Sequence, residues 1–310
     1  MDNEAGVNIL GCSNCGADLQ YKPGTDYLNC KYCNTENDIP QIKTEIKEFD
    51  FEEYIAKEIH DVELNTESYV KCKTCGASST LLPNITSASC PYCTTALIVE
   101  QAKQEQVMQP NALLPFALTS KEAKTKFKEW VNSLWFAPNL LKKATLNFNQ
   151  FKGVYIPFWI YDAHTNTQYV GQQGNYYYVS VPYTTTQNGK TVTKTRQERR
   201  TSWSYAAGTI SGFVDDTLIK ATHQKKNKIP SKVSNWNLKG LQPFNSSFLA
   251  GFTTEKYTIP LKDGHFSATK EAEDIAERWA CSDIGGDTQR VTSIDMKLSE
   301  ETFKHILLPI

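Results

Sequence analysis

The sequence predicts an α+β protein: two small four-cysteine ribbons joined by a short helix, then a larger mixed, β-rich domain with a long hairpin and two or more helices. Three observations support this fold class. Eight of the nine cysteines occur in Cys-x-x-Cys pairs within the first 100 residues. Two β-prone runs later in the chain flank an Asn-Gly dipeptide, and other segments carry apolar residues at helical spacing.

The two ribbons form an internal repeat. Cys12-Ser-Asn-Cys15-Gly-Ala recurs 60 residues later as Cys72-Lys-Thr-Cys75-Gly-Ala. In each copy a second pair follows after 14 residues, as Cys30-Lys-Tyr-Cys33 and Cys90-Pro-Tyr-Cys93. Such a match in both motif and spacing indicates duplicated ribbon hairpins.

The spacing is typical of metal binding. Two cysteines three positions apart on a tight turn can point both sulfur atoms at one ion, and two such turns complete a tetrahedron. We therefore predict two structural Zn²⁺ ions; iron in a rubredoxin-like cage and redox-active pairs are the alternatives. Four thiolates leave no position for a water, which disfavours metal-assisted hydrolysis. The predicted ligands are Cys12, Cys15, Cys30 and Cys33 in the first ribbon and Cys72, Cys75, Cys90 and Cys93 in the second.

One turn fits this pattern less well than the others. Gly16 and Gly76 follow the first pairs, where a residue that tolerates positive φ relieves strain, and Asn34 serves similarly after the second pair of ribbon one. Thr94 occupies the matching place in ribbon two and is β-branched. We expect this turn to be distorted or looser.

The composition changes after residue 101, where cysteines vanish apart from Cys281 and aromatic residues accumulate. We therefore expect four regions. They are residues 1–44 for zinc ribbon one, 45–68 for an amphipathic helical linker, 69–101 for zinc ribbon two, and 102–310 for a C-terminal α+β domain.

Several helices follow from apolar spacing. Phe51, Tyr54 and Ile55 share one side of the linker helix, which we expect to pack on a ribbon. Thr119 and Glu122 form a capping box before a second helix, which we expect to be well packed. A third helix is predicted over residues 269–280, followed by a last strand that ends at Ile310.

The long hairpin centres on Asn188-Gly189, between runs at 167–183 and 191–205. A buried strand is predicted before it, at 153–161. Basic residues gather on the hairpin and a following loop, which indicates either a solvated face or an anionic partner. These residues are Lys190, Lys194, Arg196, Arg199, Arg200, Lys225, Lys226 and Lys228.

The charge distribution and the search for targeting segments restrict the functions that this sequence can have. Residues 1–100 hold 7 Lys+Arg against 16 Asp+Glu, a net charge of −9, whereas residues 101–310 carry +8. The longest apolar stretch is far shorter than the ~20 residues of a membrane-spanning helix. The first residues are acidic rather than a basic, apolar secretory signal, so we expect a cytoplasmic protein.

Several strings of the sequence, besides the doubled Cys-x-x-Cys-Gly ribbon, carry a resemblance to a known family. They are Phe49–Tyr54, Leu114–Phe116, Trp135–Pro138, Gly153–Asp162 and Phe248–Tyr257. On these residues the chain resembles the bacterial TFIIB-type double zinc-ribbon proteins of the YdjG-like family, which often carry a primosomal or helicase-like label. The resemblance implies a role beside membrane-stress proteins, with phage-shock and SPFH-type scaffolds as partners and attachment at the membrane that is peripheral or mediated by partners.

Three functions remain in view at this point. The first is a non-enzymatic adaptor that binds proteins, since acidic ribbons should be repelled by phosphate. The second is nucleic-acid binding through the basic hairpin, with Tyr176, Tyr177 and Tyr178 as stacking surfaces. Because strand residues alternate between faces, we expect only some of these rings to point outward and the core to claim the rest. The third is an enzyme using Asp162 and His164, but no nucleotide-binding loop, small-molecule site or catalytic set is recognisable.

Overall fold

A computed structural model describes residues 11–42, 44–56, 64–80, 88–97, 102–135, 152–222 and 236–310. They form a strand-rich α+β protein, as predicted. The described helices are α1 (Phe51–Ala56), α2 (Ser120–Ser133) and α3 (Leu261–Ile284). The described strands are β1 (Leu19–Tyr21), β2 (Tyr27–Cys30), β3 (Glu36–Asp38), β4 (Phe49–Asp50), β5 (Leu64–Lys71), β6 (Ser78–Thr80), β7 (Ala88–Ser89), β8 (Ala96–Leu97), β9 (Lys103–Met108), β10 (Ala112–Leu113), β11 (Val154–Gln187), β12 (Lys190–Lys220), β13 (Gln242–Pro243), β14 (Thr253–Thr254) and β15 (Thr288–Pro309).

The strands form four sheets. Three small sheets have the orders β1-β2-β3, β6-β5-β9 and β7-β8, and every described pairing within them is antiparallel. The large sheet has the order β12-β11-β15-β10-β13, with β14 pairing beside β11 and β4 beside β15. It is mixed, because β10 runs parallel to β15 and antiparallel to β13.

The chain divides into two compact units, and β11, β12, β15 and α3 contribute residues to both. Unit one comprises Met1–Ile160, Leu218–Gly264 and Phe303–Ile310. Unit two comprises Tyr161–Thr217 and His265–Thr302.

The start of β11 forms the centre of unit one. Ile156, Phe158 and Ile160 pack in one buried cluster with Ile306 of β15, while Tyr155 packs in a second buried cluster. Because alternate residues of a strand point to opposite faces, this strand is buried on both sides. The prediction of a buried strand at 153–161 is confirmed.

Unit two packs α3 against strands of the large sheet. Ala268, Ala272, Ala276 and Ala280 recur every fourth residue along α3, and all four are buried. This spacing forms a stripe of small side chains that lets a helix approach its neighbours closely. A Cβ atom at Gly212 of β12 would lie only 2.5 Å from the Trp279 ring of α3, so this position has no room for a side chain. The helix is longer at both ends than the predicted 269–280.

The long hairpin has the predicted turn. Asn188 and Gly189 have φ angles of 52° and 73°, the left-handed conformation that a two-residue type I′ turn requires. Strands β11 and β12 extend well beyond the predicted runs. The prediction of a long hairpin is therefore confirmed.

Helix α2 begins as predicted and packs less than predicted. Thr119 accepts a hydrogen bond from the backbone of Glu122, and the Glu122 side chain accepts one from the backbone of Thr119. Val131 is the buried residue of this helix, whereas Trp130 is 55% exposed and the following Trp135 is 89% exposed. The expectation of a well-packed helix was wrong, because Val131 alone among its described residues is buried.

The described part of the linker packs on the large sheet. Helix α1 spans six residues, and the rings of Phe49, Phe51 and Tyr54 lie 5.0 to 6.3 Å from the ring of Phe303 in β15. We expected this linker to pack on a ribbon, but its aromatic contacts are with Phe303. Residues 57–63 of the predicted linker lie outside the described residues.

Within the part of the chain that the structure describes, no helix combines the length and the apolarity needed to cross a bilayer.

Candidate metal centres

The first four-cysteine group lies on the turns of the β1-β2-β3 sheet. The sulfur atoms of its members all lie within 4.8 Å of one another. Cys12 and Cys33 have their sulfurs 3.5 Å apart, and Cys15 and Cys30 have theirs 3.6 Å apart. A disulfide would bring two sulfurs to about 2.05 Å, whereas four sulfurs at 2.3 Å around one tetrahedral ion are about 3.8 Å apart. The arrangement fits a metal cage and not a disulfide.

The second group repeats this geometry. Cys72 and Cys93 have their sulfurs 3.5 Å apart, as do Cys75 and Cys90, and all four sulfurs lie within 4.8 Å of one another. The donor set consists of four thiols with no oxygen or nitrogen ligand, which is typical of zinc or of iron. Each group could therefore hold one metal ion, and zinc fits both.

The backbone turns that aim the sulfurs also match between the ribbons. The amide of Gly16 donates to the carbonyl of Cys12 at 2.8 Å, and the amide of Gly76 donates to that of Cys72 at 2.9 Å. Both glycines have positive φ, 73° and 78°, as the sequence predicts. The first turn of each ribbon is the same structure built twice.

The turn at Thr94 is not distorted. The amide of Thr94 donates to the carbonyl of Cys90 at 3.0 Å, the same length as the bond from Asn34 to Cys30. Thr94 has a φ of 59° and Asn34 a φ of 57°. The expectation of a looser turn was wrong, because the chain keeps the geometry and places a β-branched residue in a conformation that such residues rarely adopt.

A threonine in each ribbon supports one ligand, and the sequence interpretation missed it. The Thr35 hydroxyl lies 3.1 Å from the sulfur of Cys33, and the Thr95 hydroxyl lies 3.2 Å from that of Cys93. These hydroxyl contacts, together with the backbone amides of the same threonines, lower the pKa of Cys33 to about 5 and that of Cys93 to about 6. The repeat held the signal, since both threonines follow their cysteine by two positions.

Ribbon one is part of the main core of unit one. Leu19, Tyr21 and Leu28 of its hairpin lie in one buried cluster with Tyr155 of β11 and Phe248. The Tyr21 and Phe248 rings meet edge to face at 5.0 Å. Two of the metal-binding candidates, Cys12 and Cys30, belong to the same cluster.

Ribbon two has a small cluster of its own. Val70, Ala77 and Leu97 surround its buried cysteines. Tyr92, between the second pair of cysteines, packs both on this cluster and on the one built around Ile156. Tyr32, at the matching place in ribbon one, is 82% exposed.

The basic residues predicted on the hairpin lie together on β12. Lys190, Lys194, Arg196, Arg199 and Arg200 are all exposed. Lys225, Lys226 and Lys228 lie outside the described residues.

The tyrosines beside them are more exposed than expected. Both Tyr177 and Tyr178 are exposed, and Tyr176 lies under the guanidinium of Arg199, 4.2 Å from its ring centroid. We expected the core to claim some of these rings, but successive residues are accessible because both faces of the hairpin are open here.

The residues considered for catalysis have structural partners. Asp162 is buried and accepts a hydrogen bond of 2.5 Å from the backbone of Asp216, and His164 lies 3.6 Å from Glu300 on the surface. Asp162 and His265 line a cavity of about 20 Å³, which is room for about one water molecule. His265 in turn is 2.5 Å from Glu301.

Comparison with known proteins gives one weak, nearly full-length similarity. The chain is 22% identical over 314 residues to uncharacterized protein YdjG of Bacillus subtilis (strain 168), an alignment that covers 96% of this chain and 81% of that protein. No protein-family model matches the chain, and no solved structure matches it significantly. The similarity agrees with the resemblance seen in the sequence.

Proposed function

We propose that this chain is a non-enzymatic adaptor that binds other proteins and is held together by two structural Zn²⁺ ions. The proposal rests on one observation: each cysteine group supplies all four ligands that a tetrahedral ion accepts. Four thiols at tetrahedral separation leave no ligand position for a substrate or a water. Zinc in such sites contributes folding energy rather than chemistry.

Charge favours proteins over nucleic acid as the partner of the ribbons. The first 100 residues carry a net charge of −9, and each zinc ion with four thiolates adds a further formal charge of −2 to its site. Proteins that bind nucleic acid gather Lys and Arg in order to displace counterions from phosphates. Acidic ribbons lack this attraction.

The finer identity of the partner rests on the sequence resemblance alone. We propose ribbons of the TFIIB type in a cytoplasmic protein that joins a membrane-stress complex of the phage-shock or SPFH kind. Attachment to the membrane is then peripheral and made through the partner. The primosomal label receives no support, since the sequence contains no nucleotide-binding Gly-x-x-x-x-Gly-Lys-Ser/Thr loop.

Two measurements test the adaptor. Elemental analysis of the purified protein should give about two zinc ions per chain, and about one for the Cys72→Ser/Cys75→Ser variant. Iron in place of zinc, or less than about two zinc ions in the intact protein, would contradict the cofactor assignment.

The second measurement is affinity purification from the native cells after nuclease treatment, read by mass spectrometry. The intact protein should retain membrane-stress scaffold proteins, and the double variant should lose those that bind through ribbon two. Recovery of nucleic acid without these proteins would sink the adaptor function.

A second candidate function is nucleic-acid binding through the basic hairpin. The exposure of Tyr178 beside Arg199 favours it, because stacked rings and guanidinium groups bind single strands. An affinity for oligo(dT) that falls steeply between 50 and 200 mM salt and is lost in Arg199→Glu would support it. Absence of binding at low salt would remove it.

A further inference from the structure

The outer part of the long hairpin has no third strand in the described residues. We call residues 176–187 and 190–201 the arm. Strand β15 begins at Thr288, and the preceding Asp287 carboxylate accepts a hydrogen bond of 2.6 Å from the backbone of Tyr176. Beyond this point β11 and β12 pair with each other alone in the part of the chain that is described. An isolated two-stranded hairpin is marginally stable in water, so the arm gains from a further contact.

The pairing register of the arm follows from its turn. Gln187 and Lys190 flank the two turn residues and therefore oppose each other. The same register brings Ser180 opposite Gln197 and Asn166 opposite Ser211, and each of these pairs shares a side-chain hydrogen bond, at 2.9 and 3.1 Å. The register is therefore the same from the turn to the pair of Asn166 and Ser211.

One face of the arm continues the face that α3 covers. Tyr169 packs on Ala280 and Ile284 of α3, and the side chain of Gln173 donates to the carbonyl of Ile284 at 2.9 Å. Since alternate residues share a face, the residues that follow on this face lie beyond the last turn of α3. They are Tyr177, Val179, Val181 and Tyr183, which we call the apolar row.

The apolar row is open to solvent and bordered by cations. Tyr177 and Tyr183 are 46% and 39% exposed, and the two valines between them are half-buried. On β12 the register places basic side chains opposite three of the four row residues. These pairs are Tyr177 with Arg200, Val181 with Arg196, and Tyr183 with Lys194, while Val179 faces Glu198. The guanidinium of Arg196 donates to the Glu198 carboxylate at 2.9 Å, and its side chain remains 63% exposed.

The opposite face of the arm differs. It carries Tyr178, Ser180, Pro182 and Thr184 on β11, against Arg199, Gln197 and threonines on β12. This face has no apolar row. Any ligand that requires an apolar surface therefore has one face of the arm to bind.

The chemistry of the apolar row fits a helix. Helix α3 already shows that this face of the sheet accepts a helix, and a row of valines and tyrosines bordered by arginine and lysine complements an amphipathic helix with an acidic margin. The seven strand residues from Tyr177 to Tyr183 span about 20 Å, the length of roughly 13 helical residues. Central valines offer nothing to a phosphate or a base edge, which disfavours nucleic acid on this face.

We propose that the apolar row is the docking site for an acidic amphipathic helix of a protein partner. The helix would extend the layer that α3 begins and pair its carboxylates with Arg196 and Arg200. The inference rests on the proposed adaptor function and adds to it the place and the chemistry of one contact.

Site-specific photo-cross-linking in the native cells tests the docking site. p-Benzoylphenylalanine replaces Tyr183 on the apolar row or, as a matched control, Thr184 on the opposite face of the same strand. Position 183 should give a cross-linked protein at about 10-fold the yield of position 184, and the attached peptide should come from an acidic, helix-forming segment. Arg196→Glu with Arg200→Glu should cut that yield at least about 5-fold, whereas Arg199→Glu on the other face should leave it unchanged.

Several results would overturn the docking site: no product from position 183, equal yields from both positions, cross-links to nucleic acid, or no effect of the paired charge reversal. Thermal unfolding of each variant checks that the arm's changes leave the fold intact. If position 183 gives nothing while the intact protein still retains partner proteins after affinity purification, the docking site fails and the adaptor stands. If no protein is retained in either experiment, both fail.

Discussion

The two ribbons have the same local structure and different relations to the rest of the molecule. Both have sulfurs 3.5 to 3.6 Å apart and the same turn hydrogen bonds. Ribbon one contributes Leu19, Tyr21 and Leu28 to the main core, whereas ribbon two buries its apolar residues largely among themselves. A metal motif therefore fixes local geometry, and residues outside it decide whether the motif supports the whole fold.

The backbone shows the same contrast. In ribbon one the amide of Tyr21 donates to Ala250 at 3.0 Å and the amide of Gly24 donates to Phe116 at 2.9 Å. In the described residues, ribbon two is attached through the bridge between Ser79 and Glu255, beside which the amide of Lys256 donates to Ser78 at 3.3 Å. Its other attachments are made by side chains: the hydroxyl of Thr80, the hydroxyl of Ser89 with the ammonium of Lys152, and the ring of Tyr92. We therefore expect loss of the zinc ion from ribbon one to destabilise more of the molecule than loss of the zinc ion from ribbon two.

The largest expected difference in stability is between Cys30→Ser in ribbon one and the matching change Cys90→Ser in ribbon two. Each change should remove one zinc ion, a loss on the order of 10 kcal/mol of binding energy at its own site. Cys30 lies in the main core, so this loss should be comparable to the stability of the whole unit, which for a typical domain is about 5–15 kcal/mol. Protection of the β11 amides from hydrogen exchange should be lost in Cys30→Ser and retained in Cys90→Ser. Equal protection in the two variants would show that the ribbons do not differ.

The loss of stability in acid includes a contribution from one buried histidine, which must be measured before the remainder is assigned to the ribbons. His305 is buried beside Trp159, and its Nδ1 lies 3.2 Å from the carbonyl of Met108. Burial lowers the pKa of His305 to about 4, below the value of about 6.5 for an unfolded chain. The unfolded state therefore binds a proton first, and stability that is present above pH 6.5 is lost as the pH falls towards 4.

The substitution His305→Gln removes the titrating imidazole and keeps a hydrogen-bond donor for the carbonyl of Met108. Wild type should lose about 3 kcal/mol more than this variant between pH 6.5 and pH 4, measured by denaturant unfolding. The acid sensitivity that remains in the variant then belongs to the thiol ligands and carboxylates. A variant that loses stability as steeply as wild type would exclude His305 as a source.

Tyr92 and Tyr32 lie at matching places inside the second cysteine pairs of the two ribbons, and substituting them should have effects of intermediate size on stability. Tyr92→Ala should cost about 2–4 kcal/mol, because the ring packs on two apolar clusters. Tyr32→Ala, at the same place in ribbon one, should cost less than about 0.5 kcal/mol since that ring is exposed. Thermal unfolding of both variants measures the difference. Similar costs would mean that ribbon two is not anchored through its tyrosine.

These contrasts also mark what the sequence could predict. The Asn188-Gly189 turn, the Thr119 cap and the grouping of eight cysteines depend on residues close together in the chain, and each appears in the structure as the pattern indicates. Their geometry is set by local hydrogen bonds and by the φ angles that asparagine and glycine allow.

The rest depends on distant contacts that no local pattern reports. Tyr21 meets Phe248 across 227 positions of the sequence, and nothing in the repeat shows that Tyr92 is packed while Tyr32 is exposed. The packing of α2 was misjudged for the same reason. Its apolar spacing predicts the helix correctly but does not reveal whether an apolar surface lies opposite Trp130.

The smallest effect is expected from exchanging the residues that follow the second cysteine pair of each ribbon. Thr94 and Asn34 have the same left-handed φ, but only asparagine adopts it readily. Thr94→Asn should therefore strengthen zinc binding by ribbon two and Asn34→Thr should weaken it in ribbon one, each by about 1 kcal/mol or roughly 5-fold in affinity. Stepwise competition with a chelator in the protein that holds both zinc ions measures both changes, and the Cys90→Ser variant isolates the site of ribbon one. Because the exchange leaves all eight ligands in place, opposite shifts would locate the difference in backbone strain, and shifts of the same sign would refute that explanation.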